Sequence, residues 1–154
     1  MSQRAVAPVI GIVLMLVITV VLAGAIAAYL LVLPTTEGAT QATISATVNT
    51  ETAEFQFVHD GGDAIAVETL TIEITIDGEP LTSQPPVPFV GSHGFNGSPS
   101  GPFNEGGDTR WVPGQRASFR LACTNHPKPS DESTIVIELF VDDRPLTTLE
   151  IVPD

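Results

Sequence analysis

From Ala5 to Leu33 the chain runs for 29 residues without a charge, and from Thr43 onward apolar and polar positions alternate. The first pattern predicts a helix that is apolar all round, because Val, Ile, Leu and Ala fall on every face of a 3.6-residue turn. A hydrocarbon core of ~30 Å takes about 20 helical residues, so the run can span a membrane with roughly two turns to spare. The second pattern predicts strands. Leu70-Thr71-Ile72-Glu73-Ile74-Thr75-Ile76-Asp77 sets four aliphatic side chains on one face and four polar ones on the other, as a half-buried strand requires. Ile135, Ile137, Leu139 and Val141 repeat the pattern, with Val136 and Phe140 making the reverse face partly apolar. Weaker alternation runs through Ile44/Ala46/Val48, Phe55/Phe57, Phe119/Leu121/Cys123 and Leu149/Ile151.

Turn signals separate these runs: Asp60-Gly61-Gly62-Asp63, Asp77-Gly78, Pro113-Gly114 and Asp142-Asp143. Six or seven short strands result, and no second helix is predicted. The expected architecture is a long N-terminal apolar α-helix (6–33) followed by an all-β, immunoglobulin-like antiparallel sandwich (42–154). Pro34 should end the helix, and a polar linker covers 34–41. Between Gln84 and Trp111 lie six glycines and five prolines, which argue against continuous regular structure. A connection of that length is usually functional or disordered. Phe89, Phe95, Phe103 and Trp111 are unusual in a disordered tract, and they are expected to fold parts of it back on the sandwich.

Charge adds a direction. All 18 acidic residues lie at Glu37 or later, whereas Arg4 is the only basic residue before the helix. Residues 34–154 therefore carry a formal charge of −13. Arg4 and the α-amino group favour an N-terminus in the cytoplasm with the acidic domain outside. Lysine occurs once, as Lys128, so no basic track for nucleic acid exists. An acidic surface would keep the domain hydrated and separate from its neighbours in high salt. The single cysteine, Cys123, excludes an internal disulfide.

Three readings of the N-terminal segment compete. A secretory signal peptide fits Val9 to Leu22 as its apolar region and Ala25-Ile26-Ala27 as its cleavage pattern. The apolar run nevertheless continues through Tyr29-Leu30-Leu31-Val32-Leu33 and would leave an apolar start on the mature chain. A plain single-span anchor fits length and flanks. It does not account for the short leader or for Pro8, which a helix tolerates in its first turn where N–H groups have no intrahelical partner.

The third reading rests on resemblance. The stretch RAVAPVIGIVLMLVITVVLAGAIAAYL, residues 4–30, resembles the N-terminus of archaeal type IV pilins, especially those of salt-loving archaea. In that family a short leader ends in a charged and a small residue, matched here by Arg4 and Ala5. The first mature residues are matched by Val6-Ala7-Pro8-Val9-Ile10-Gly11. The resemblance implies a leader of residues 1–5, cut between Ala5 and Val6 by a membrane prepilin peptidase. Bacterial pilins carry a glutamate at the fifth mature position, where this chain has Ile10; archaeal members commonly lack it. The resemblance further implies assembly with copies of itself into a surface filament, driven by an assembly ATPase and a polytopic membrane platform, with membrane lipid around the helix beforehand. Surface adhesion is the usual end. The alternative is a membrane-tethered β-sandwich that binds a ligand outside the cell and never polymerises.

Small residues in the helix fit assembly. Gly24 and Ala28 form a small-xxx-small pair, which lets helix backbones approach closely. Thr19, the only hydroxyl of threonine or serine in the span, is expected to return its hydrogen bond to a carbonyl one turn earlier.

Little else invites chemistry. His59-Asp60-Gly61-Gly62-Asp63 is expected as a hairpin or strand-end turn, since Gly permits positive φ and Asp can bond within its own turn. A histidine followed by a glycine pair and Asp also recurs at this point in the pilin-like family. Calcium would need a denser set of oxygen ligands. His93 and His126 lie in different loops without zinc-ligand spacing. Cys123 is expected inward on a strand as a small hydrophobe. No nucleophile motif, phosphate loop, metal set or cofactor site is expected, so the sequence offers no argument for an enzyme. Asn96-Gly97-Ser98 is the only N-x-S/T sequon, which makes Asn96 a candidate N-glycosylation site on a loop.

Overall fold

The computed structural model describes residues 3–32 and 38–153, with backbone alone at 3–5. The expected helix end at Pro34 and the first half of the 34–41 linker, 34–37, lie outside the described residues. The chain separates into two units, 1–37 and 38–154.

The first unit is one helix, α1 (Gln3–Val32), of 30 residues and ~45 Å at 1.5 Å per residue. The second is built from antiparallel strands in three sheets. β1 (Ala42–Asn49), β2 (Glu54–Gly62) and β7 (Arg116–Arg120) form one, in the order β1-β2-β7. β5 (Glu79–Pro80), β4 (Leu70–Ile76), β8 (Ile135–Val141) and β9 (Arg144–Ile151) form the second, in the order β5-β4-β8-β9. β3 (Ile65–Ala66) and β6 (Arg110–Trp111) pair as a two-residue ladder. Three strands facing four, with the chain crossing between sheets after β2, β5 and β7, is the layout of an immunoglobulin-like sandwich.

The two strongest alternating runs pair directly. Ile72 lies opposite Leu139 and Ile74 opposite Ile137, so one residue of slip would turn every aliphatic side chain outward. The turns act as expected in three places. Asp77 and Gly78 both have positive φ between β4 and β5, as do Asp142 and Asp143 between β8 and β9; each is a two-residue hairpin loop whose twist suits the flanking strands. Gly114 follows Pro113 at φ +91, and the Gln115 N–H closes that turn on the Val112 carbonyl at 3.1 Å.

Asp60–Asp63 departs from expectation. β2 continues through Gly62, and its register to β1 shifts at Thr43/Ile44, with Thr43 opposite Gly61 and Ile44 opposite His59. Asp60 is the extra residue of a bulge, and the turn comes only after it. Asp63 bonds outside its own turn. Its N–H donates to the Gln41 carbonyl at 2.8 Å, and its Oδ2 accepts from the Gln41 N–H at 3.0 Å.

The Gln84–Trp111 segment belongs to the core. Phe103 and Trp111 are fully buried, and Phe89 and Phe95 nearly so. Rings run continuously through it: Phe89 to Phe95 (5.2 Å), Phe95 to Phe119 (5.5 Å), and Phe57 to Phe103 (5.4 Å) to Trp111 (5.1 Å). Part of the segment also lies along the outer edge of β7. The Asn96 N–H donates to the Arg120 carbonyl and the Ser100 N–H to the Ser118 carbonyl. An edge that would otherwise present unpaired peptide groups is covered.

Candidate functional site: an apolar helix and a polar domain

From Val6 to Val32 every described side chain of α1 is exposed. This is the one helix among the described residues long and apolar enough to cross a membrane. A helix apolar on all sides cannot rest in water; it needs lipid or other helices around it. Gly24 has nothing within 4 Å of where a Cβ would stand, so with Ala28 it offers a flat strip to a neighbouring backbone. Thr19 Oγ1 donates to the Met15 carbonyl at 2.8 Å, the backward bond of a threonine with no other partner.

Pro8 sits differently from expectation. With α1 starting at Gln3, it is the sixth helical residue rather than a first-turn one. It therefore removes an intrahelical bond that a residue at that depth would make.

In the second unit the three histidines occupy separate places. His59 is fully buried, its Nε2 2.8 Å from the Asp63 carbonyl oxygen and its ring edge-on to Trp111 at 5.5 Å. It fastens the end of β2 and is closed to solvent. His93 and His126 are exposed in separate loops. Among the described residues, no three His, Cys, Asp or Glu side chains converge as a metal site. Cys123 is exposed, which corrects its inward placement. β7 ends at Arg120, and the Asn125 N–H closes a turn on the Ala122 carbonyl, so the alternation stops two residues before the thiol. Asn96 is exposed.

Two amide side chains that the sequence pattern did not single out hold the long segment. Gln84 pairs with both peptide groups of Ile74, at 2.8 and 2.9 Å, and Asn125 does the same with Ser83. Acidity is largely uncompensated, since Arg120–Glu54 at 3.2 Å is the single ion pair among the described residues.

Comparison with known proteins bears on the first unit. Residues 4–44 match the family model of the archaeal type IV pilin N-terminal segment. The match runs past the helix into β1, so the similarity to archaeal pilin N-termini covers all of the described helix from Arg4 onward. Comparison with curated proteins returns no match. Archaeal type IV pilins are structural subunits rather than enzymes. They begin as membrane-anchored precursors and assemble with pilus machinery into surface filaments.

Proposed function

We propose that the chain is a pilin subunit of an archaeal type IV pilus-like filament that serves adhesion. Its precursor lies with the N-terminus in the cytoplasm and the acidic domain outside. A prepilin peptidase cuts the 1–5 leader between Ala5 and Val6. An assembly ATPase and a membrane platform then move the helix (6–33) from lipid into a bundle of identical helices, with 34–41 as linker and 42–154 as the displayed sandwich. One observation carries this reading: the match at residues 4–44 falls on a helix apolar around its whole circumference.

Pro8 supports the cut. In the uncut helix it sits past the first turn, where a missing N–H costs a hydrogen bond. A chain beginning at Val6 would place it third, among the N–H groups that have no intrahelical partner in any helix. Cutting there turns a misplaced proline into a well-placed one.

The step from lipid to filament gains little from leaving water, because lipid tails are as apolar as the helices themselves. Close packing must supply it, and the Gly24/Ala28 strip is where backbones can meet. Gly24→Leu still favours the membrane but crowds that strip. The variant is expected to insert normally and to yield few filaments by electron microscopy; normal yield would remove this face from the assembly.

A further inference from the structure

The chain has four asparagines, at 49, 96, 104 and 125, and three are occupied. Asn49 Oδ1 accepts from the Thr52 N–H at 3.0 Å. Asn104 donates to the Pro99 carbonyl and accepts from the Gly106 N–H. Asn125 is buried with its amide fully engaged. Of the four asparagines, Asn96 alone has a side-chain amide without a hydrogen bond among the described residues, and it alone heads a sequon.

Backbone geometry lifts that sequon out of the fold. The strand-like segment bonds to β7 at Asn96 (to Arg120) and again at Ser100 (to Ser118). Over that interval β7 advances two residues and the segment four, so the surplus loops outward. Gly97 makes the turn at φ +76, a conformation open to glycine. Asn96, Gly97 and Ser98 are left in solvent while Pro99 turns inward. Beneath them lies a groove of about 420 Å³ lined in part by Glu54, Ser100, Ser118 and Arg120. Hydroxyls and a charged pair can hydrogen-bond a sugar ring there.

We propose that Asn96 is N-glycosylated, with the first saccharide resting on the Glu54/Ser100/Ser118/Arg120 groove. The position suits a displayed subunit. In the order β1-β2-β7, the glycosylated segment lies at the edge farthest from β1, the strand that follows the linker. With strands ~4.8 Å apart, that is about 14 Å across the sheet. A glycan here would leave the β1 edge free for contacts. The inference rests on the outward orientation of the domain proposed above.

Mass spectrometry of the full chain from the cells that make it tests both readings separately. The peptide containing Asn96 should be heavier by a whole number of saccharide residues. Asn96→Gln and Ser98→Ala should each return it to the unmodified mass, and in protein made without glycan neither should change the thermal melting, because neither side chain bonds within the fold. An unmodified Asn96 peptide, or added mass that survives both substitutions, would overturn the site. The N-terminal peptide in the same digest reports cleavage before Val6, so a bare Asn96 on a correctly cut chain overturns the glycan and leaves the pilin reading standing.

Discussion

Asn125 grips both peptide groups of Ser83: the Ser83 N–H donates to Asn125 Oδ1 at 3.0 Å, and Asn125 Nδ2 donates to the Ser83 carbonyl at 2.9 Å. A third bond runs from Nδ2 to the Gly94 carbonyl at 3.1 Å. One side chain thereby fastens both the start of the long segment, at Ser83 just before it, and Gly94 within it to the turn after β7. Asn125→Ala leaves buried donors and acceptors unpaired, at about 1–3 kcal/mol each for those water cannot reach, and should cost roughly 2–4 kcal/mol in total. Asn125→Asp should cost more, since an anionic oxygen would then face two carbonyls. Chemical denaturation of both variants checks the order; Asp as mild as Ala would contradict it.

Gly62 and Gly61 separate conformation from composition. Gly62 has φ +98, and a Cβ there would stand 2.3 Å from the Gln41 carbonyl oxygen. Gly61 has nothing within 4 Å. Strain of this kind costs about 1–3 kcal/mol before any clash, so Gly62→Ala should lower the melting temperature by roughly 10 °C or more. Gly61→Ala should leave it nearly unchanged. Equal effects would show that the Gln41–Asp63 pairing does not depend on this backbone shape.

The long segment answers differently from a display loop. Loop closure depends only weakly on length, so replacing His93 to Glu105 by a Gly-Ser link would be tolerated if the segment merely joined strands. It carries Phe95 and Phe103 into the core instead. Phe103→Ala alone should cost about 3–5 kcal/mol, a large share of the ~5–15 kcal/mol that holds a domain together. The shortened domain should therefore fail to show a cooperative melt by circular dichroism. A native-like melt would place the segment outside the fold.

These results mark where the sequence was legible. The Leu70–Asp77 and Ile135–Val141 runs could be read because a strand's period is local, and they pair side by side in one sheet. The Asp77-Gly78 and Asp142-Asp143 hairpins were readable because positive φ selects those residue types. β3, β5 and β6 were not, since two residues carry no period. Cys123 was misplaced because alternation alone cannot say where a strand ends. Gln84 and Asn125 imitate strand partners for residues 10 and 42 positions away, and such pairing leaves no local trace. The N-terminal helix was the easiest to read, because lipid and filament packing both demand an unbroken apolar run.

Acidity should make salt stabilising. Residues 34–154 carry −13, with one ion pair among the described residues, so repulsion is hardly offset by pairing. The Debye length falls from ~10 Å at 0.1 M to ~3 Å at 1 M salt. A fragment spanning 36–154 should melt several degrees higher at about 1 M salt than at 0.1 M. A flat or falling melting temperature would mean that the acidity serves something other than tolerance of salt.

The central claim is that this helix is cut at Val6 and built into a filament. N-terminal sequencing of the chain recovered from purified surface filaments tests it most directly. The account predicts filaments that contain this chain, beginning Val-Ala-Pro-Val-Ile-Gly. A chain confined to the membrane that still begins at its initiator end, or one cut after Ala27, would contradict it.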